Sequence, residues 1–190
     1  LAGRVSAISA EVDAARVSDG PIPSFTITDA RGNPVFHDEL LNPGLDDLRL
    51  VALRSFSDRT GVYINNPNAI APVGSDYVFL QYVRVMNKAL ARAYFLQESL
   101  LSQGVQTQTD PNNPNRQIIL EADAKHIEEV INSDLEANIK RPRAVSAIQY
   151  SVARDDDLTP NTGATVNSSV ELVGLKYIKT FRTNARYVRS

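Results

Sequence analysis

The sequence predicts an α+β protein, a mixed or antiparallel sheet flanked by two long helices and followed by an extended C-terminal arm. Three observations carry this. Residues 77–101 and 117–139 contain neither Gly nor Pro and repeat apolar residues at three- and four-residue spacing. Residues 145–152 alternate with period two, with Ile148, Tyr150 and Val152 on one face. Residues 20–67 are cut by Gly, Pro and Asn into short runs with β-branched and aromatic content. The expected organisation is a core domain over 1–176 and an arm over 177–190. Within the core lie a hairpin and strand region at 20–60, helices at 75–102 and 117–139, and a strand pair at 145–175.

Taken in order, Val5, Ile8, Val12 and Ala15 predict an amphipathic helix over 1–17, stopped by Gly20 and Pro21. A strand at 25–28, a turn at 29–34 and a returning strand at 35–37 read as a short hairpin. A helical turn follows at 45–48, then a buried strand at 49–54 and another at 61–65. Ser75 or Asp76 is the expected N-cap of the first long helix. Phe79, Val83, Met86, Leu90, Ala93 and Leu100 form its stripe, widened by Tyr82, Val85, Ala89 and Leu96, so it is buried on more than one side or covered by a partner. The polar stretch 104–116, with two Pro, predicts a loop. The second helix presents Ile118, Leu120 or Ala124, Ile127, Ile131, Leu135 and Ile139 inward. Pro142 breaks it, and strands follow at 145–152 and 166–175 around a turn at 153–163.

Composition excludes several kinds of chemistry. A chain of 190 residues, 43% apolar, buries a core without metal or disulfide support. With no Cys it has no disulfide, thiolate metal site or cysteine nucleophile. The net charge of −2 argues against a dedicated nucleic-acid binder. No apolar run nears the roughly 20 residues that span a bilayer.

Candidate reactive residues are few. His126 and Glu129 share a helical face, but no second His lies one turn away to complete a metal pair. A solvated face is the simpler reading. His37, beside Asp38 and Glu39, reads as a polar strand end. Asp155, Asp156 and Asp157 lack the alternate spacing, central Gly and final Glu of a calcium loop, so they read as a solvated turn. Phosphate-binding glycine loops, nucleophile elbows and zincin motifs are absent from the sequence. The expectation is a non-enzyme without catalytic, cofactor or metal residues.

Charge is distributed unevenly. Lys176, Lys179, Arg182, Arg186 and Arg189 give residues 175–190 a charge of +5, leaving −7 on the rest. Tyr177, Ile178, Phe181, Tyr187 and Val188 interleave with these cations. Such a strand could meet nucleic acid, pair with an acidic protein, or be an edge strand guarded by its own charges. The helix at 121–136 is its opposite, holding Glu121, Asp123, Glu128, Glu129, Asp134 and Glu136 against the single cation Lys125.

Three runs carry a resemblance. Gly61-Val62-Tyr63-Ile64-Asn65-Asn66-Pro67, then Ala69-Ile70-Ala71-Pro72-Val73-Gly74-Ser75-Asp76-Tyr77, then Tyr82-Val83-Arg84-Val85-Met86-Asn87-Lys88-Ala89 are similar to the tail sheath proteins of contractile bacteriophages and related injection machines. The preceding run with Arg54 and the ending Leu175-Lys176-Tyr177-Ile178-Lys179 resemble the same family, over about 130 residues in all. Sheath subunits are usually several hundred residues long, so the resemblance implies the C-terminal portion of a larger subunit.

It further implies a structural subunit of the virion's contractile tail, assembled in the host cytoplasm. The partners implied are identical subunits in a helical sheath, the inner tail tube protein, and baseplate and tail terminator proteins, with neither nucleic acid nor membrane. Lys176, Tyr177, Ile178, Lys179, Phe181, Arg182, Arg186, Tyr187 and Val188 match the position of the family's inter-subunit arm. The acidic face from Glu121 to Glu136 is the expected contact of opposite charge, within one subunit or between two. The alternatives are another tail or baseplate component with a sheath-like domain, or an unrelated α+β enzyme using His126.

Overall fold

A computed structural model describes residues 1–23, 26–35, 44–72, 74–75, 77–159 and 164–176. Helices alternate with small antiparallel sheets, an α+β arrangement. Among the described residues the strands form three separate two-stranded sheets, not the one sheet expected. The first pairs β1 (Leu53–Phe56) with β2 (Arg59–Ile64), and the second pairs β3 (Thr107–Asp110) with β4 (Asn113–Ile119). The third pairs β5 (Val145–Val152) with β6 (Ser168–Gly174).

The main core lies where α2 (Leu80–Leu100) and α3 (Glu121–Leu135) pack with the β5–β6 ribbon. Val85, Ala89 and Ala93 of α2 meet Ile131 and Leu135 of α3, with Tyr150 and Val152 of β5. The even-numbered face of β5 therefore turns inward, as its alternation requires. Val145, an odd position, is also buried because the register shifts between Val145 and Ala147. After α3 the helix widens into a π turn, Glu136–Lys140, which still delivers Ile139 to the core.

Several local expectations are corrected. The helix expected over 1–17 shrinks to α1 (Ala2–Ser6) and a 3-10 turn, Val17–Asp19. Arg84 on α2 captures the carbonyls of Val5, Ile8 and Ser9 at 2.7–3.2 Å, acceptors that a continuing helix would need. Arg4 similarly gathers the carbonyls of Arg16, Asp19 and Gly20. The first long helix starts at Leu80 with Phe79 at its N-cap, not at Ser75. Tyr77 lies in a turn, and Val78 and Phe79 stay out of the helix because Ala69 N–H bonds the Val78 carbonyl at 2.7 Å and Leu80 N–H bonds the Pro67 carbonyl at 3.1 Å. Asp76, the other proposed cap, lies outside the described residues.

The loop expected at 104–116 is instead the β3–β4 hairpin. Asp110 Oδ1 accepts the Asn112 N–H at 2.8 Å and shapes its turn. Both strands are edges, so Pro114 interrupts no inner ladder. Residues 117–119, expected in the second helix, complete β4; Leu120 N–H is held by the Gln106 carbonyl at 2.8 Å before α3 begins. The turn at 29–34 is present, with Asp29 Oδ1 accepting N–H groups of Arg31 and Asn33 at 2.8 and 2.9 Å. Phe25, Phe36 and His37 of the expected hairpin lie outside the described residues. The strand expected at 49–54 is displaced to Leu53–Phe56.

Candidate inter-subunit surface

The acidic face of α3 is largely committed within the chain. Arg154, just beyond β5, grips two of its carboxylates: Nε to Glu121 Oε2 at 2.8 Å, and Nη1 and Nη2 to Glu128 Oε1 and Oε2 at 2.7 and 2.9 Å. This fork holds both carboxyls below the usual Glu range and raises the already high pKa of the guanidinium. Asp134 pairs with Arg92 of α2, and Glu136 with Lys140 one turn on, at 2.9 Å. The Lys140 contact lowers the Glu136 pKa. Asp123 accepts the Gln106 N–H. Glu129 is exposed and has no hydrogen bond or ion pair among the described residues.

These contacts join α3 to β5 at the level of the backbone. Asn132 Oδ1 accepts the Tyr150 N–H at 2.7 Å while its Nδ2 donates to the Tyr150 carbonyl at 2.9 Å. Glu128 Oε1 accepts the Val152 N–H at 2.8 Å. One edge of the ribbon is thus closed by helix side chains acting as a third strand.

The other edge is different. Tyr150 and Val152 point their N–H groups away from β6, so their antiparallel partners Val170 and Ser168 point theirs away from β5. No strand among the described residues pairs with that side of β6. An apolar groove of about 570 Å³ runs between the start of α2 and the C-terminal end of β6. Phe79, Tyr82, Met86, Leu172 and Val173 line it, and Lys176 stands at its end. Tyr82 fixes the chain there: its ring lies 2.9 Å from where a Cβ on Gly174 would sit, and its hydroxyl donates to the Leu175 carbonyl at 2.6 Å. Burial, and secondarily the charge of Asp13, raises the Tyr82 pKa.

Of the arm residues, Lys176 is exposed at the end of this groove. Tyr177, Ile178, Lys179, Phe181, Arg182, Arg186, Tyr187 and Val188 lie outside the described residues. His126 is exposed on α3. In the turn after β5, Asp156 accepts the backbone and side-chain N–H groups of Asn167, and Asp157 accepts the Thr159 N–H at 3.0 Å. Among the described residues no group of three or more His, Asp or Glu is placed to hold a metal ion, and no helix is long and apolar enough to cross a membrane.

Sequence reasoning passed over Arg154, Asn132, Arg84 and Arg92, the residues that organise this surface. No local pattern marks them, since each partner lies between 18 and 79 positions away. Comparison with protein-family models, curated proteins and solved structures found no match to this chain.

Proposed function

We propose that the chain is a structural subunit of a contractile tail sheath, in which identical subunits polymerise around an inner tail tube and drive contraction by changing their packing. The reading rests on the sheath-like runs from Gly61 to Ala89 and on the ending at residues 175–179. One structural observation favours it most: the β5–β6 ribbon is closed by α3 on one edge and unpaired by any described strand on the other, beside an apolar groove. A strand added there gains main-chain hydrogen bonds from β6 and apolar contact from the groove. Residues 177–190, in which aromatic and aliphatic side chains are interleaved with basic ones, are the segment we assign to that seat in a neighbouring subunit. The acidic carboxylates held by Arg154 and Arg92 are engaged in partly exposed ion pairs within the subunit, which leaves register to the arm's apolar residues.

In this reading α2, α3 and the ribbon form the body of the subunit, and residues 177–190 link it to its neighbour. Contraction is a bistable change between two packings of such bodies. Further partners are the tube, baseplate and tail terminator proteins, and the particle is completed in the host cytoplasm. Electron microscopy of the purified protein under assembly conditions tests the proposal. Helical sleeves are the expected result, and a monodisperse small species under every condition would overturn it.

A further inference from the structure

The outer face of α2 exposes large apolar side chains. Gln97 reaches Tyr150 and Ser168, and Arg92 reaches Asp134, so the helix's rotation is fixed with Val85, Ala89 and Ala93 inward. The opposite side presents Asn87, Ala91, Tyr94, Glu98 and Leu101 at alternating four- and three-residue spacing, a seam suited to another helix. Tyr94 is 59% exposed, Phe95 66% and Leu101 71%. Two adjacent aromatics this open on one helix are unusual for a solvated face. Toward the N-terminal end, Arg84 is engaged with the carbonyls of Val5, Ile8 and Ser9, so the open stretch begins about one turn later.

We infer that this face binds a second copy of the same chain, α2 against α2 in antiparallel order about a two-fold axis near Tyr94. The seam is complementary to itself in that order and no other partner need be supplied. An antiparallel crossing level with position 93, one residue before Tyr94, brings Phe95 of each copy over the small Ala91 of the other, a knob facing a gap. The same crossing brings Lys88 of each copy to Glu98 of the other. Both side chains are exposed, and neither has an ion pair among the described residues. A parallel pairing would place Lys88 against Lys88 and lose this match.

The contact is isologous and closes on itself, so it makes a dimer and not a polymer. It therefore goes beyond the sheath reading and stands without it. A single helix face buries area at the low end for specific interfaces, which makes the dimer weak and dependent on concentration.

Sedimentation velocity of the full chain at tens to hundreds of micromolar tests this, with charge reversals at the exposed seam. Wild type is expected to show a monomer–dimer equilibrium. Lys88→Glu or Glu98→Lys alone should weaken the dimer about 10-fold or more, and the two together should restore it, a coupling expected only if the residues meet across the axis. As the chain has no cysteine, Tyr94→Cys provides a second readout: oxidation should link two copies, whereas Lys125→Cys on α3 should not. Monomer at every concentration, single reversals without effect, or no rescue by the double variant would each overturn the inference. Loss of sleeves on removing residues 179–190 with the dimer retained separates this contact from the arm; absence of sleeves in wild type would overturn only the sheath reading.

Discussion

Gly61 shows how much one residue can decide. Its φ is +98°, a region that side chains rarely adopt, and a Cβ there would lie 2.5 Å from the Pro21 Cβ. That close approach lets Ile22 N–H bond the Val62 carbonyl at 2.7 Å and fastens the N-terminal segment to β2. Gly61→Ala should therefore lower stability by about 2 kcal/mol or more, combining backbone strain and a clash, as read from a urea midpoint. Gln81 is the reverse case. It is 2% exposed, both polar atoms of its amide lack a partner among the described residues, and the packing around it leaves no room for a water. Gln81→Met keeps the length and removes the unmet polar atoms, so stability should rise by about 1–2 kcal/mol in the same titration. A lower urea midpoint would show that the amide is satisfied in solution.

At the scale of elements, α3 and β5 depend on one another through charge. Arg154 holds Glu121 and Glu128, and Glu128 also accepts the Val152 N–H. Both carboxyls have depressed pKa values in the folded chain, chiefly through the Arg154 hydrogen bonds. A depressed carboxyl pKa means that the unfolded chain binds protons first as pH falls. The associated stability is fully present above the ordinary Glu value near 4.3 and is lost as pH falls through the lower folded values. Glu128→Gln should accordingly flatten the fall in stability between about pH 5 and pH 3, measured by urea unfolding at successive pH values. An unchanged slope would show that Glu128 does not carry this linkage. The N-terminal segment is an element of another kind, held by the Arg84 and Arg4 guanidinium groups instead of by its own helical bonds. Removing Arg84 as Arg84→Ala should open residues 7–16 to limited proteolysis while far-UV circular dichroism changes little, since only the five-residue α1 precedes the segment.

For the whole molecule, the main core is separate from the surfaces proposed for assembly. The core uses α2, α3, β4 and β5 with flanking residues of β6, and among the described residues none of its buried members lies beyond Leu158. Deleting residues 179–190 should therefore leave thermal unfolding nearly unchanged and abolish sleeves, with electron microscopy and calorimetry as the two readouts. Sleeves formed by the shortened chain would remove the arm from the proposal. Much of the architecture follows from periodicity. The α3 positions Ala124, Ile131 and Leu135 and the inward face of β5 are set by which side of a 3.6- or 2-residue repeat is apolar, whereas α2 turns the line Gln81, Val85, Ala89 and Ala93 inward and leaves Val83, Met86 and Leu90 of the expected stripe half-buried. Burial of a repeating face needs no knowledge of the partner. By itself, then, the sequence determined an α+β chain with amphipathic helices, placed at 75–102 and 117–139 and so begun several residues too early, and a strand at 145–152. The tertiary structure alone decided that residues 107–119 pair as a hairpin, that residues 7–16 leave the helix, and that α3 closes one edge of the ribbon while the other has no described strand beside it. The last two outcomes depend on where Arg84, Asn132 and Glu128 find backbone groups distant in sequence, and the hairpin on its own ladder and the Asp110 turn, because a hydrogen bond is specific to position in space and leaves no period in the chain.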